Sequence, residues 1–210
     1  MATQQAIERG SARERLLAAA NELFYAEGVH TVGVDRIVEQ AEVAKASLYS
    51  IFGNKEGLVR AYLLARDDRI RRRMKRELAA RFDTPRERLL GVFEVQGQFF
   101  SEPSFRGCAF LSANAEAPLG AGVDEITEGH RTWVRTLFLD LAKEAGAANP
   151  EGLARQLVML YDGAAISAWM DREPTAATAA RAVATGLVNA ATAPLVESPS
   201  SPRRTTQRSD

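Results

Sequence analysis

A chain of 210 residues, 46% apolar and 26% charged, has the composition of an ordinary globular protein with ample material for a core. It contains no apolar run near the roughly 20 residues that span a bilayer. Its N-terminus, MATQQAIERGSARERLL, lacks the apolar stretch of a secretory signal, and its single Cys108 excludes an intrachain disulfide and most cysteine metal sites. No metal or cofactor is expected, and a reducing cytoplasm is the expected compartment. The net charge of zero hides an asymmetry. Residues 1–82 carry 15 Lys and Arg against 11 Asp and Glu, and residues 83–210 carry 12 against 16. Only the first part is suited to meet a polyanion.

In chain order, residues 1–11 form a polar arm. Leu16, Leu17, Ala20, Leu23 and Phe24 recur at helical spacing, which predicts a helix from about Ala12 to Glu27 that Gly28 stops. A short helix over 34–41 buries Val34, Ile37, Val38 and Ala41, and a third over 44–52 buries Leu48 and Phe52. Asn54 caps a long fourth helix running to about Ala80. Thr84-Pro85-Arg86-Glu87 is a capping box with proline at the first helical position, opening a fifth with Leu89, Phe93, Gln96 and Phe100 on one stripe. A short helix near 106–116 follows, then a break at Pro118, Gly120 and Gly122. A seventh helix holds Ile126, His130, Trp133 and Phe138 and ends at Gly146. Asn149-Pro150 starts an eighth, running to about Asp171, and Pro174 a ninth, running to about Ala193. The Pro/Ser/Arg-rich tail from Glu197 is expected to be disordered. No segment alternates as a strand does, so the expected class is all-α with about nine helices.

Three short helices with a tight turn, Glu42-Val43, between the second and third make a helix-turn-helix unit. The stretch Val34-Asp35-Arg36-Ile37-Val38, continued by Ala41 to Leu58 with Tyr49, Phe52, Lys55 and Glu56 at fixed spacing, strongly resembles the TetR family of one-component regulators over about residues 12–60. The resemblance implies a DNA-binding domain at 12–57, an effector-binding and dimerisation domain at 58–196, and flanking segments 1–11 and 197–210. It implies a homodimer on a palindromic double-stranded operator, repression as the default, and release by a small apolar or amphipathic effector. Lys45, Ala46 and Ser47 then open the recognition helix, where lysine can donate to guanine and an alanine methyl can meet a thymine methyl. Tyr49 and Ser50 lie one turn later, Thr31 and Gly33 offer donors to a phosphate, and Lys55 supplies another. Where the family carries its turn glycine this chain has Glu42, which is strained if the turn is left-handed. Ile51 replaces a frequent polar or aromatic residue.

The eighth helix is apolar on two sides: Leu153, Leu157, Leu160 and Ala164 on one, Met159, Ile166, Trp169 and Met170 elsewhere. The ninth is crowded with small residues. As in the family, these two suit a four-helix dimer interface, with Leu157, Ala164, Ala180, Val183, Gly186 and Leu187 as candidates. The middle helices would surround the effector. Candidate lining residues are Phe93, Gln96, Phe100, Cys108, Phe110, Asn114, His130, Trp133, Met159, Tyr161, Asp162 and Trp169, each of which reads equally well as plain core. Asp162 alternatively pairs with Arg135 or Arg155. The basic run 69–76 circles its helix and reads as solvated surface, with Asp67 and Asp68 spaced to pair with Arg71 and Arg72. No nucleophile elbow, phosphate loop or zinc motif is present, and Glu128 and His130 point to different faces, so catalysis is not expected. The alternative function is a helical ligand-binding or adaptor module without DNA.

Overall fold

A computed structural model describes residues 10–115 and 121–193. The arm before residue 10, the break at Pro118 and Gly120, and the tail from Glu197 lie outside the described residues. Within them the secondary structure is nine helices without a strand: α1 Ala12–Glu27, α2 Val34–Gln40, α3 Lys45–Phe52, α4 Lys55–Arg81, α5 Pro85–Phe100, α6 Ala109–Ala115, α7 Ala121–Glu144, α8 Pro150–Met170 and α9 Ala176–Thr192.

Local chemistry sets most of the boundaries. Ser11 and Glu14 form a reciprocal capping box at the head of α1, the Glu14 carboxylate accepting from the Ser11 N–H at 2.7 Å. Thr84 and Glu87 repeat the motif at α5, with Pro85 in the first turn. Asn54 and Asn149 cap α4 and α8 by accepting from Gly57 N–H (2.7 Å) and Gly152 N–H (2.9 Å). Two expected starts move. The sixth helix begins at Ala109 rather than near Arg106, because Gly107 sits at φ +88° and the Arg106–Gly107 backbone is bonded elsewhere. The ninth begins at Ala176, after a left-handed Arg172 (φ +54°).

Apolar packing falls into two clusters. The first joins Leu16, Leu23 and Phe24 of α1, Ile37 of α2, Leu48 of α3 and Leu58, Tyr62 and Leu63 of α4. It also takes in Ala109, Phe110 and Ala113 of α6 and Val123 and Ile126 of α7. The second joins Met74 and Leu78 from the far half of α4 to Leu89 and Phe93 of α5, Phe138 of α7, Leu157 of α8 and Ala184 and Val188 of α9. The packing therefore does not follow a boundary at 57/58. α4 threads both clusters, and α6 belongs with the first.

α8 is apolar on both sides as its sequence suggests. Leu153, Leu157 and Ala164 are buried inside the protomer, while Met159, Ile166, Trp169 and Met170 are exposed. Three of the expected dimer residues are corrected by this: Leu157, Ala164 and Ala180 pack in their own protomer's core. Leu187 packs half-buried against the same core. Val183 and Gly186 are exposed, and nothing lies within 4 Å of a Cβ placed at Gly186.

Two substitutions test the first cluster by chemical denaturation. Leu48→Ala removes a fully buried side chain and is expected to lose about 2–5 kcal/mol of stability. Gly57→Ala, which at an ordinary helical position would be helpful, puts a Cβ onto the carbonyl oxygen of Phe52 and is expected to cost about 1–3 kcal/mol.

Candidate functional site

The α2–α3 corner is built by backbone bonds. Ala41 N–H donates to Ile37 (2.9 Å), Glu42 N–H to Glu39 (3.0 Å) and Val43 N–H to Val38 (3.0 Å). Glu42 stands at φ +51°, the left-handed conformation anticipated from its place in the turn. Arg15 reaches across from α1 and donates to the carbonyls of Ala41 (3.1 Å) and Glu42 (3.0 Å), satisfying acceptors at the end of α2. A bidentate Arg36–Glu27 pair (2.6 and 2.9 Å) also ties α2 to α1.

This frame sets the face of α3. Leu48 is buried beneath it, while Lys45, Ala46, Tyr49 and Ser50 are exposed and Ser47 is half-buried. Tyr49, at 46% exposure, is not a core aromatic. Phe52 is only half-buried, against the expectation of full burial, with the Arg13 guanidinium 5.7 Å from its ring centroid. Thr31 and Gly33 are exposed at the mouth of α2, whose cap residue Gly33 has no side chain to satisfy the first-turn N–H groups. Lys55 opens α4 half-buried, its Nζ donating to the His30 carbonyl at 3.4 Å. Lys45 forms an ion pair across the corner with Asp35 at 2.7 Å, and that bond raises the affinity of its amine for the proton. A cationic and an aromatic side chain, flanked by small residues, thus stand on one convex helical face.

Behind this unit lies a cavity of about 1030 Å³. Nine of the twelve residues expected around an effector line it: Gln96, Phe100, Cys108, Phe110, Asn114, His130, Tyr161, Asp162 and Trp169. Three do not. Phe93, one turn earlier on the α5 stripe, is fully buried 5.8 Å from the Phe138 ring. Trp133 packs half-buried against the core with the Arg71 guanidinium 5.2 Å from its ring. Met159, about half a turn round α8 from Tyr161, is 70% exposed.

The sequence offered no sign of the wall supplied from outside the middle helices, because those residues come close only in the fold. Tyr25 of α1 lines the cavity. Its hydroxyl accepts from the Arg106 N–H (2.9 Å) and donates to the Gly107 carbonyl (2.8 Å). Arg66 of α4 lies 3.6 Å over the Tyr25 ring and donates to Asn21 at 3.0 Å. Asp162 pairs with Arg131, not with Arg135 or Arg155, and Arg135 pairs with Glu128 at 3.1 Å.

His130 sits at the junction. Its ring stacks on Phe110 at 3.8 Å, and its Nδ1 lies 2.8 Å from Asp67 of α4, whose other oxygen holds Arg71 at 2.7 Å. Burial pushes the imidazole below its usual 6.5, against the opposing pull of Asp67. Burial likewise pushes the Cys108 thiol and the Tyr161 hydroxyl up, so both stay neutral. No cluster of metal-ligating side chains occurs among the described residues. The depressed imidazole has a consequence with a definite sign. Below about pH 6.5 the unfolded chain binds a proton at this residue that the folded chain resists, so stability is full above that pH and falls as pH drops. The melting temperature is expected to fall between pH 7.5 and 5.5 and to fall less in His130→Phe; the same fall in both proteins would contradict it.

Residues 16–62 match the profile of the bacterial regulatory proteins of the tetR family. The helix-turn-helix-type transcriptional activator FasR of Mycolicibacterium smegmatis is 33% identical over 98 residues, 47% of this chain and 44% of that one. The regulator YxaF of Bacillus subtilis is 41% identical over 46 residues, 22% of this chain and 24% of its own. The chain thus matches less than half the length of these curated relatives. The crystal structure of SCO4454, a TetR-family transcriptional regulator from Streptomyces coelicolor, extends the likeness. It is 32% identical and superposes with a TM-score of 0.81 over 87% of this chain and 96% of its own. With the profile matched across the corner and α3 and nearly the whole helical frame shared, the chain belongs to the TetR family of transcriptional regulators and carries that family's helix-turn-helix DNA-binding domain.

Proposed function

We propose that this regulator works as a homodimeric repressor. It holds an imperfect palindrome through two copies of α3 and leaves it when an apolar or amphipathic molecule fills the cavity. Lys45, Ala46 and Tyr49 read bases; Thr31, Gly33, Ser47, Ser50 and Lys55 hold phosphates. The exposed apolar side of α8 with Val183 and Gly186 of α9 supports a twofold contact, because a stripe of Met159, Ile166 and Met170 left in water has no other evident cover. Such a dimer sets two recognition helices about 34 Å apart, or a multiple of it, along one side of the duplex.

The observation that carries release is the sharing of one apolar cluster by Leu48 under the recognition helix and Phe110 in the cavity wall. A compound that displaces Phe110 must move a member of the DNA-binding core. It loosens DNA only by binding the non-DNA arrangement more tightly. A tenfold release needs about 1.4 kcal/mol of such coupling, within the ordinary allosteric range.

The experiment is selection of an operator from random duplexes, followed by a screen of apolar compounds for release and a reporter assay for sign. No selected sequence, or tight cavity binders none of which shifts DNA affinity, would overturn the DNA and effector halves respectively; a reporter that rises with the protein present would replace repression by activation. Lys45→Ala should weaken the operator about 5- to 150-fold and relax preference at one base pair. Lys55→Ala should weaken all DNA alike and make the salt dependence shallower by about one unit per site. Wild-type protein at micromolar concentration should scatter light as a dimer, and Val183→Glu or Gly186→Glu as a folded monomer.

A further inference from the structure

We propose that the cavity selects a non-cationic, multi-ring aromatic compound bearing a hydroxyl or amine, whose hydrogen is donated to Nε2 of His130. The proposal rests on the reading of the cavity as the effector site and names the chemistry that site accepts.

Size and lining come first. About 1030 Å³ is at the upper end of pockets for drug-sized molecules. Phe100, Phe105, Phe110 and Trp169 line it, with Phe100 and Phe105 tilted at 5.0 Å. Such rings offer faces and edges to another aromatic body.

Charge comes second. Most of the ionic groups on the lining are already engaged. Arg131 pairs with Asp162, Arg69 with Glu102 at 3.2 Å and Arg135 with Glu128 at 3.1 Å. Arg106 donates to the carbonyls of Pro103 (3.1 Å) and Phe105 (2.8 Å), and Arg66 stacks on Tyr25 and donates to Asn21 while its Nε is left without a partner. Neither of these two guanidiniums pairs with a carboxylate among the described residues, so the lining, with five arginines to four carboxylates, is an unfavourable place for a cationic ligand to give up its water.

The polar anchor comes third. Asp67 lies on the Nδ1 side of His130, so a neutral ring carries its proton there and presents Nε2 as a lone-pair acceptor. His130 lines the cavity, and its Nε2 makes no hydrogen bond within the described protein. A second acceptor on the lining, Oε1 of the buried Gln96, is also unpartnered, its Nε2 being spent on the Tyr161 carbonyl at 2.7 Å. The Tyr161 hydroxyl can give or take and does not discriminate. A ligand with a donor satisfies what the wall lacks, whereas an ether of the same shape leaves it unmade.

The test compares three probes on one aromatic frame: 1-hydroxypyrene, 1-methoxypyrene and pyrene-1-carboxylate. They are titrated into the full chain carrying Trp133→Phe, so that Trp169 in the cavity wall reports binding. At pH 7.5 the hydroxyl compound is expected to bind about tenfold tighter than the methyl ether. His130→Phe keeps a ring against Phe110 and should abolish that advantage while sparing the ether. Should this variant fail to fold, pH supplies the control. Asp67 and Arg71 face His130 from α4, Phe110 from α6 and Arg131 from its own helix. Once His130 is protonated its Nε2 can no longer accept, and the hydroxyl advantage should disappear as pH falls well below 6.5. Equal affinities for hydroxyl and ether at pH 7.5 would overturn the donor claim and leave a ligand cavity standing. Tightest binding by the carboxylate, which has no hydrogen to give, would place the polar group at Arg66 or Arg106 instead of His130 and overturn the donor claim. Binding of none of the three would overturn the proposal entirely, and the effector reading would then stand or fall on the compound screen alone.

Discussion

The burial of a seven-residue helix against the DNA-binding unit is the contact on which the rest of this molecule depends. A helix as short as α6 has too few hydrogen bonds to persist by itself. It is held because Ala109, Phe110 and Ala113 complete the cluster that already contains Phe24 and Tyr62, whose rings meet edge-on at 5.6 Å. In return α6 closes the cavity with Phe110 and supports the ring of His130. The Tyr25 hydroxyl fixes the strand of chain leading into it at two backbone groups. Cavity wall and recognition helix are therefore not separate modules joined by a lever. They are faces of one packed body, which small shifts cross without attenuation by solvent.

Electrostatics divides the molecule differently from its linear charge. The basic run 69–76 dominates the N-terminal excess, yet Arg71 and Arg72 pair with Asp67 and Asp68 one turn back, and Arg69 and Arg73 both meet Glu102. The run holds α4 against the segment after α5 and leaves little charge for a polyanion. Exposed pairs of this kind are individually weak and screened by salt. Their effect here is geometric: they orient α4, the element common to both clusters. Lys45 is paired too, with Asp35, so meeting a duplex requires it to exchange one anionic partner for another.

Much of this was legible in the chain because local signals are strong where backbone groups must be satisfied. The Thr84–Glu87 and Asn149 caps, the apolar period of α1 and the left-handed demand on Glu42 all stand where the residues indicate. What escaped depends on pairings far apart in sequence. His130 and Asp67 are 63 positions apart, and Tyr25 and Arg106 are 81. Periodicity shows that α8 has two apolar sides but not which turns inward, hence Leu157 and Ala164 inside and Met159 outside. The late start of α6 escaped for the same reason: the Arg106–Gly107 backbone takes its partner from α1, and propensity cannot see that bond.

The placement of α6 also bears on how such regulators can be recombined. A chimaera that exchanges only the segment up to α4, roughly the 16–62 stretch recognised as the family's signature, would cut through a single core. The incoming helices would meet a foreign Phe110, and the loop before it would lose the hydroxyl that seats it. Grafting would succeed when α6 and its approach travel with the reading head. The inheritable unit of this protein is thus discontinuous along the gene, two stretches of chain that must change together.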